Sequence, residues 1–169
     1  MEDIILFEVK EDFTDELKKK FTAFIDSLKV PSLVFLDVES YGGYVHVLKS
    51  MIQEIEQKKK EGFAFVTHVE NYAYSCGFLL YLIGDIKTAG NDSKFMFHPI
   101  GFKTDERITS YSAQEMMQQL QVEDDFVYKL FKENTEIDSN FFDAIKKNDV
   151  FLSKIDLINL KIIKNYEKS

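Results

Sequence analysis

The chain of 169 residues carries 21 basic and 29 acidic side chains, a formal net charge of −8, with 45% hydrophobic and 14% aromatic residues. This suits one globular domain, residues 1–169, with a real core, and the lack of a basic stripe interleaved with aromatics excludes a nucleic-acid binder. No apolar stretch reaches the length of a membrane span, the acidic start is unlike a signal peptide, and the lone Cys76 excludes an intramolecular disulfide, so a cytoplasmic location without membrane association is expected.

Ile4 to Val9 predicts a short strand. Phe13, Leu17, Phe21, Phe24, Ile25 and Leu28 then recur at helical spacing, with Asp12 or Thr14 available as the cap. Leu33 to Val38, apolar but for Asp37, predicts a buried strand, and after Gly42-Gly43 the residues Tyr44, Val47, Leu48, Met51, Ile52 and Ile55 mark a second helix. Phe63 to Val69 repeats the strand signal, and Phe78 to Ile83 is apolar all round, which suits a helix inside the protein. Strands alternating with helices imply an α/β fold with a parallel sheet. Lys94 to His98 reads as a further strand, Gly101 to Thr109 as a loop or extended arm, and Ser112 to Phe131 as a long helix whose apolar face needs a partner. Asp138 and Ser139 can cap a shorter helix, and Ser153 to Ile163 predicts a turn of helix followed by a last strand.

Four features carry chemistry. Ser75 opens the apolar helix, where the amide of Cys76 faces outward at the positive end of the helix dipole and suits a developing oxyanion. His98 follows a strand pattern and precedes Pro99, Asp149 follows a helix end, and Gly42-Gly43 follows a strand. A hydroxyl nucleophile needs a base, the base needs a group to hold its tautomer, and the oxyanion needs preorganised donors. Each residue also has a plain structural use: N-cap for Ser75, packing for Cys76, a satisfied histidine for His98, and turns for Asp149 and the glycines. His46 and His68 fall in no motif.

Taken in order, these features resemble the Clp protease proteolytic subunit family along nearly the whole chain. Glu39-Ser40-Tyr41-Gly42-Gly43 stands where that family has Ser-Pro-Gly-Gly, and Ala73-Tyr74-Ser75-Cys76-Gly77 is similar to its Ala-Ala-Ser-Met-Gly. Met96-Phe97-His98-Pro99 resembles Met-Ile-His-Gln-Pro, Asn148-Asp149-Val150-Phe151-Leu152-Ser153 resembles Arg-Asp-Arg-Phe-Leu-Ser, and Gly84 matches a later glycine assigned to the helix. The order Ser, His, Asp differs from those of chymotrypsin-like, subtilisin-like and α/β-hydrolase enzymes.

The resemblance implies a serine endopeptidase in which Ser75 is the nucleophile, His98 the general base and acid, and Asp149 the orienting carboxylate. The backbone N–H groups of Gly43 and Cys76 form the oxyanion hole, with Gly42 permitting close approach, and no cofactor or metal is needed. It implies a spiral of ββα units, shared with crotonases, with a protruding helical handle over about 101–133. It also implies a homo-oligomer, a heptameric ring or stacked double ring, that admits unfolded proteins or peptides. An AAA+ unfoldase partner is part of the family pattern; a chain that starts almost at the first core strand argues against dependence on one. Tyr41 replaces the family's proline, Asn71 a glycine and Tyr74 a small residue, which reshapes the substrate groove, and the interval from Ser75 to His98 is shorter. Two other readings are a catalytically inactive ring subunit or assembly protein, and a crotonase-like or signal-peptide-peptidase-like relative with different chemistry.

Overall fold

Strand β1 (Ile5–Val9) opens the described part of this computed structural model, residues 4–164. There follow α1 (Asp15–Ser27), β2 (Leu33–Val38), α2 (Val45–Lys60), β3 (Ala64–Val69), β4 (Tyr72–Tyr74), α3 (Cys76–Leu82), β5 (Ile86–Ala89) and β6 (Lys94–Phe97). The chain continues through α4 (Ser110–Asn134), α5 (Ser139–Ile145), β7 (Val150–Ser153) and α6 (Lys154–Asn159). It is an α/β fold. No described helix is long and apolar enough to cross a membrane.

The first sheet is wholly parallel, in the order β1-β2-β3-β5, as the alternation of strands and helices implies. Its register aligns Phe7, Leu36, Thr67 and Lys87 in one row across the four strands. Helices cover this face: Phe7 packs against Phe21 and Phe24 of α1, and Thr67 Oγ1 donates to the Tyr81 carbonyl of α3 at 2.8 Å. The opposite face carries Leu6, Phe35, Val66 and Ile86 in one row and Glu8, Asp37, His68 and Thr88 in the next. Leu6, Leu33 and Ile86 remain 49%, 45% and 40% exposed there. The expectation of a strand buried throughout over Leu33 to Val38 is therefore corrected to alternation, with Val34, Leu36 and Val38 fully buried and Leu33 turned out. The run looks apolar because Leu33 and Phe35 also face outward, whereas Asp37 on the same face joins a polar row; an outward apolar row is unusual for a parallel sheet that no described element covers.

The second sheet is β4-β6-β7, with β4 parallel and β7 antiparallel to β6. Ala73, Phe95 and Phe97 point into the core, where Phe95 and Phe97 meet Phe78, Tyr81 and Phe131. All seven residues of α3 are buried, as an all-round apolar helix requires, and it touches both sheets as well as α2 and α4. A parallel bridge from Ser40 to Ala73 ties the end of the β2 segment to the second sheet.

Thr14 caps α1, accepting from the Leu17 amide, and Asp138 caps α5. In α4 a capping box of Thr109 and Ser112 starts a helix of 25 residues, about 37 Å long at 1.5 Å per residue. None of its residues from Ser110 to Phe126 is buried, whereas Val127, Leu130 and Phe131 enter the core. The strand expected at the end of the 153–163 segment does not form. After α6, Lys161 adopts φ 58, and the Ile162 and Lys161 amides bond back to the Leu157 and Ile158 carbonyls, closing a Schellman turn that sends Ile162 and Ile163 into the core. Gly84, expected within the helix, lies just past the α3 cap residue Ile83. A Cβ there would stand 2.2 Å from Thr67 Oγ1 and 3.0 Å from the Ile86 carbonyl oxygen. Gly84→Ala is expected to cost about 2–4 kcal/mol, read as a lowered urea midpoint at unchanged slope.

Candidate active site

Ser75 stands at the junction of β4 and α3, with φ 53 and ψ −122. These angles match the first central position of a type II′ turn, which glycine normally fills, and holding serine there stores about 1–3 kcal/mol. The structural use as an N-cap fails on two counts: the backbone is not extended, and the hydroxyl makes no cap hydrogen bond. A strained strand-to-helix turn that presents a hydroxyl is the geometry of a nucleophile elbow.

The Gly42-Gly43 turn lies directly against it. A Cβ on Gly42 would fall 2.7 Å from Ser75 Cβ, 3.0 Å from its Oγ and 3.2 Å from the Cys76 amide nitrogen. Gly42 and Gly43 have φ of 109 and 145, so both use conformations that side chains rarely adopt. Buried Ser40 holds the turn from within: its hydroxyl donates to Glu11 O at 2.7 Å and accepts from the Gly42 amide at 3.1 Å, and its carbonyl accepts from the Tyr74 amide. Ser40 is not among the expected site residues; its signal in the sequence is its place two residues before the glycines, where the family motif also has serine. The Gly42 carbonyl accepts from the Phe13 amide at 2.8 Å, so across the trans peptide the Gly43 N–H points away from Phe13. Among the described residues, neither the Gly43 nor the Cys76 N–H donates to a protein acceptor.

Cys76 is buried, and its Sγ lies 3.4 Å from the Gly43 carbonyl as a donor, joining the start of α3 to the glycine turn. Burial pushes the thiol up to about 11 from 9.0, against the opposing effect of that contact. The thiol is thus neutral at pH 7 and is not a competing nucleophile. Native protein should resist iodoacetamide at pH 8 and react once unfolded. Because the folded thiol ionises higher than the unfolded one, its contribution to stability is complete below pH 9 and is lost as pH rises towards 11.

The second sheet carries the other two residues. The Ser75 amide donates to Met96 O at 2.8 Å, extending the β4–β6 ladder, and His98 follows two residues beyond Met96. Phe97 pairs with Val150 in the antiparallel ladder, so His98 and Asp149 are the residues at which the two strands leave that ladder, next to one another in register. His98 is half-buried and Asp149 exposed. His98 Nδ1 lies 2.9 Å from Pro99 O; a carbonyl only accepts, so Nδ1 carries the proton and Nε2 of the neutral ring keeps its lone pair. Among the described residues no hydrogen bond joins Ser75 to His98 or His98 to Asp149.

The remaining histidines have partners that the sequence did not reveal. His46 meets Asp15 at 3.0 Å, and His68 bridges Thr88 Oγ1 at 2.9 Å and Glu70 at 3.1 Å on the open face of the first sheet. The His68 set is a cross-strand pair plus a neighbour two residues along, so register alone brings it together. No protein-family model matches this chain and no curated protein matches it, so the chemistry of the site rests on its own residues and their geometry.

Proposed function

We propose that this protein is a serine endopeptidase of the Clp proteolytic-subunit type, cutting unfolded proteins or peptides through an acyl-enzyme on Ser75. The observation that carries the reading is the strained Ser75 turn, its hydroxyl unused as a cap, packed on Gly42 beside two amides that have no acceptor among the described residues. In this mechanism Ser75 Oγ attacks the peptide carbonyl while His98 Nε2 takes its proton. The oxyanion is held by the Gly43 and Cys76 N–H groups, worth about 3–4 kcal/mol per donor in comparable sites. His98 then protonates the leaving amine, and water, activated by the same nitrogen, releases the acyl group. Pro99 O already holds the required tautomer, and Asp149 would stabilise the imidazolium once the ring turns towards it.

Two surfaces favour assembly of several copies into a ring of the spiral, handle-bearing subunits that the family resemblance implies. One is the open apolar row Leu6, Phe35 and Ile86 on a parallel sheet, and the other is the exposed first half of α4, where Tyr111 and Met117 are each 71% exposed.

The absence of Ser75–His98 and His98–Asp149 hydrogen bonds among the described residues favours a second reading, a subunit that keeps the fold without turnover. A fluorophosphonate probe separates the two. Labelling of wild type that disappears in Ser75→Ala and falls sharply in His98→Ala supports the peptidase; a folded, assembled and unlabelled wild type rejects it.

A further inference from the structure

We infer that Tyr41, Tyr72, Tyr74 and Phe151 form a subsite beside Ser75 that takes an aromatic side chain of the peptide substrate. The inference deepens the peptidase reading and rests on it. The four rings are contiguous: Tyr41 stacks on Tyr72 at 4.5 Å, Tyr74 lies 5.8 Å from Tyr41 and 5.5 Å from Tyr72, and Phe151 meets Tyr74 edge-on at 6.3 Å. Strand alternation puts them on the outside. Ala73 and Phe95 face the core, while Tyr74, Met96 and Phe151 form a row across β4, β6 and β7 on the other face. Tyr41 and Phe151, at the two ends of the cluster, are 65% and 68% exposed, a large apolar area left in water.

The placement points to a substrate side chain as the occupant. Tyr41 immediately precedes Gly42, Tyr74 immediately precedes Ser75, and Phe151 lies two residues after Asp149, so three of the four motifs of the candidate site carry a ring of this cluster. Gly42 packs on Ser75, so Tyr41 and Tyr74, the residues before them, flank the hydroxyl, and a peptide whose carbonyl reaches Ser75 Oγ passes beside these rings. Stacked and edge-on rings present both faces and edges, which suit a further planar ring better than an aliphatic chain. The Tyr72 hydroxyl is pushed up by its Tyr41 partner first, then by burial, and last by the charges of Glu39 and Asp12.

The chain contains no tryptophan, so the fluorescence of a tryptophan peptide reports the peptide alone. The test uses the Ser75→Ala protein with blocked Gly-Gly-Trp-Gly-Gly, competed by the Phe, Ala and Glu versions of the same peptide. The expected result is competition by Phe and not by Ala or Glu. Tyr41→Ser or Phe151→Ser should each weaken binding by about fivefold, while Tyr111→Ser on α4, equally exposed, should not. Equal competition by the Ala peptide, or binding unaffected by both substitutions, overturns the inference. So does a change in assembly size by light scattering without a change in peptide binding, since the rings would then be an interface between subunits. Fluorophosphonate labelling of wild type separates the two failures. A labelled protein without aromatic preference loses only the subsite, and an unlabelled one that still selects Phe loses the peptidase reading and keeps a peptide-binding surface.

Discussion

Replacing Ser75 by glycine is expected to stabilise the protein by about 1–2 kcal/mol while abolishing fluorophosphonate labelling and peptide cleavage. At φ 53 and ψ −122 any side chain is strained, and the Ser75 hydroxyl returns no cap hydrogen bond to offset it. Glycine removes about 1–3 kcal/mol of strain and gives back somewhat less than 1 kcal/mol in unfolded-state entropy. Ser75→Ala keeps the Cβ and the strain, so it should lose activity equally, by about 10⁴-fold or more, with stability near wild type. Urea unfolding of the two variants side by side is the measurement. If Ser75→Gly proves no more stable than Ser75→Ala, the turn is relaxed in solution and the strain argument fails. A residue kept in a costly conformation where glycine would fit better is what function at that position would produce.

Gly42→Ala should fail in the opposite way, losing both stability and activity. The new methyl would fall 2.7 Å from Ser75 Cβ and 3.2 Å from the Cys76 amide nitrogen, on a backbone at φ 109. Strain and clash together are expected to cost about 2–4 kcal/mol, and displacement of one oxyanion donor lowers kcat by about 10²–10³ in comparable sites. Gly62→Ala separates the two contributions. Gly62 also has positive φ, 95, but its Cβ would meet only Pro31 at 3.5 Å, so strain without collision should cost about 1 kcal/mol and leave activity intact. A Gly42→Ala protein with wild-type labelling would mean that the glycine turn does not shape the space above Ser75.

Helices and long strands were legible in the sequence because local patterns specify them. The 3.6-residue repeat marks α1 and α2, the all-round apolar run marks α3, and Leu33 to Val38 reads as a strand from end to end. Lys94 to Phe97 was legible as well, but two other short strands were not. Tyr72–Tyr74 and Ile86–Ala89 are three and four residues long, and they become strands only because β6 and β3 lie alongside with ladder partners to offer. The terminal segment failed similarly: Leu160 to Ile163 is apolar enough for a strand, but the turn at Lys161 sends it into the core instead.

For the candidate site, composition and motif order named Ser75, His98, Asp149 and the glycines, since residue type and spacing are properties of the chain. What lay beyond the sequence was conformation. The positive φ of Ser75, the packing of Gly42 against it, the buried Ser40 pivot and the His98 bond to Pro99 O all depend on segments remote in sequence. Backbone angles at a junction follow from where the two joined elements are anchored. Here those anchors are the β4–β6 ladder and the core around α3, which exist only once the whole chain has packed.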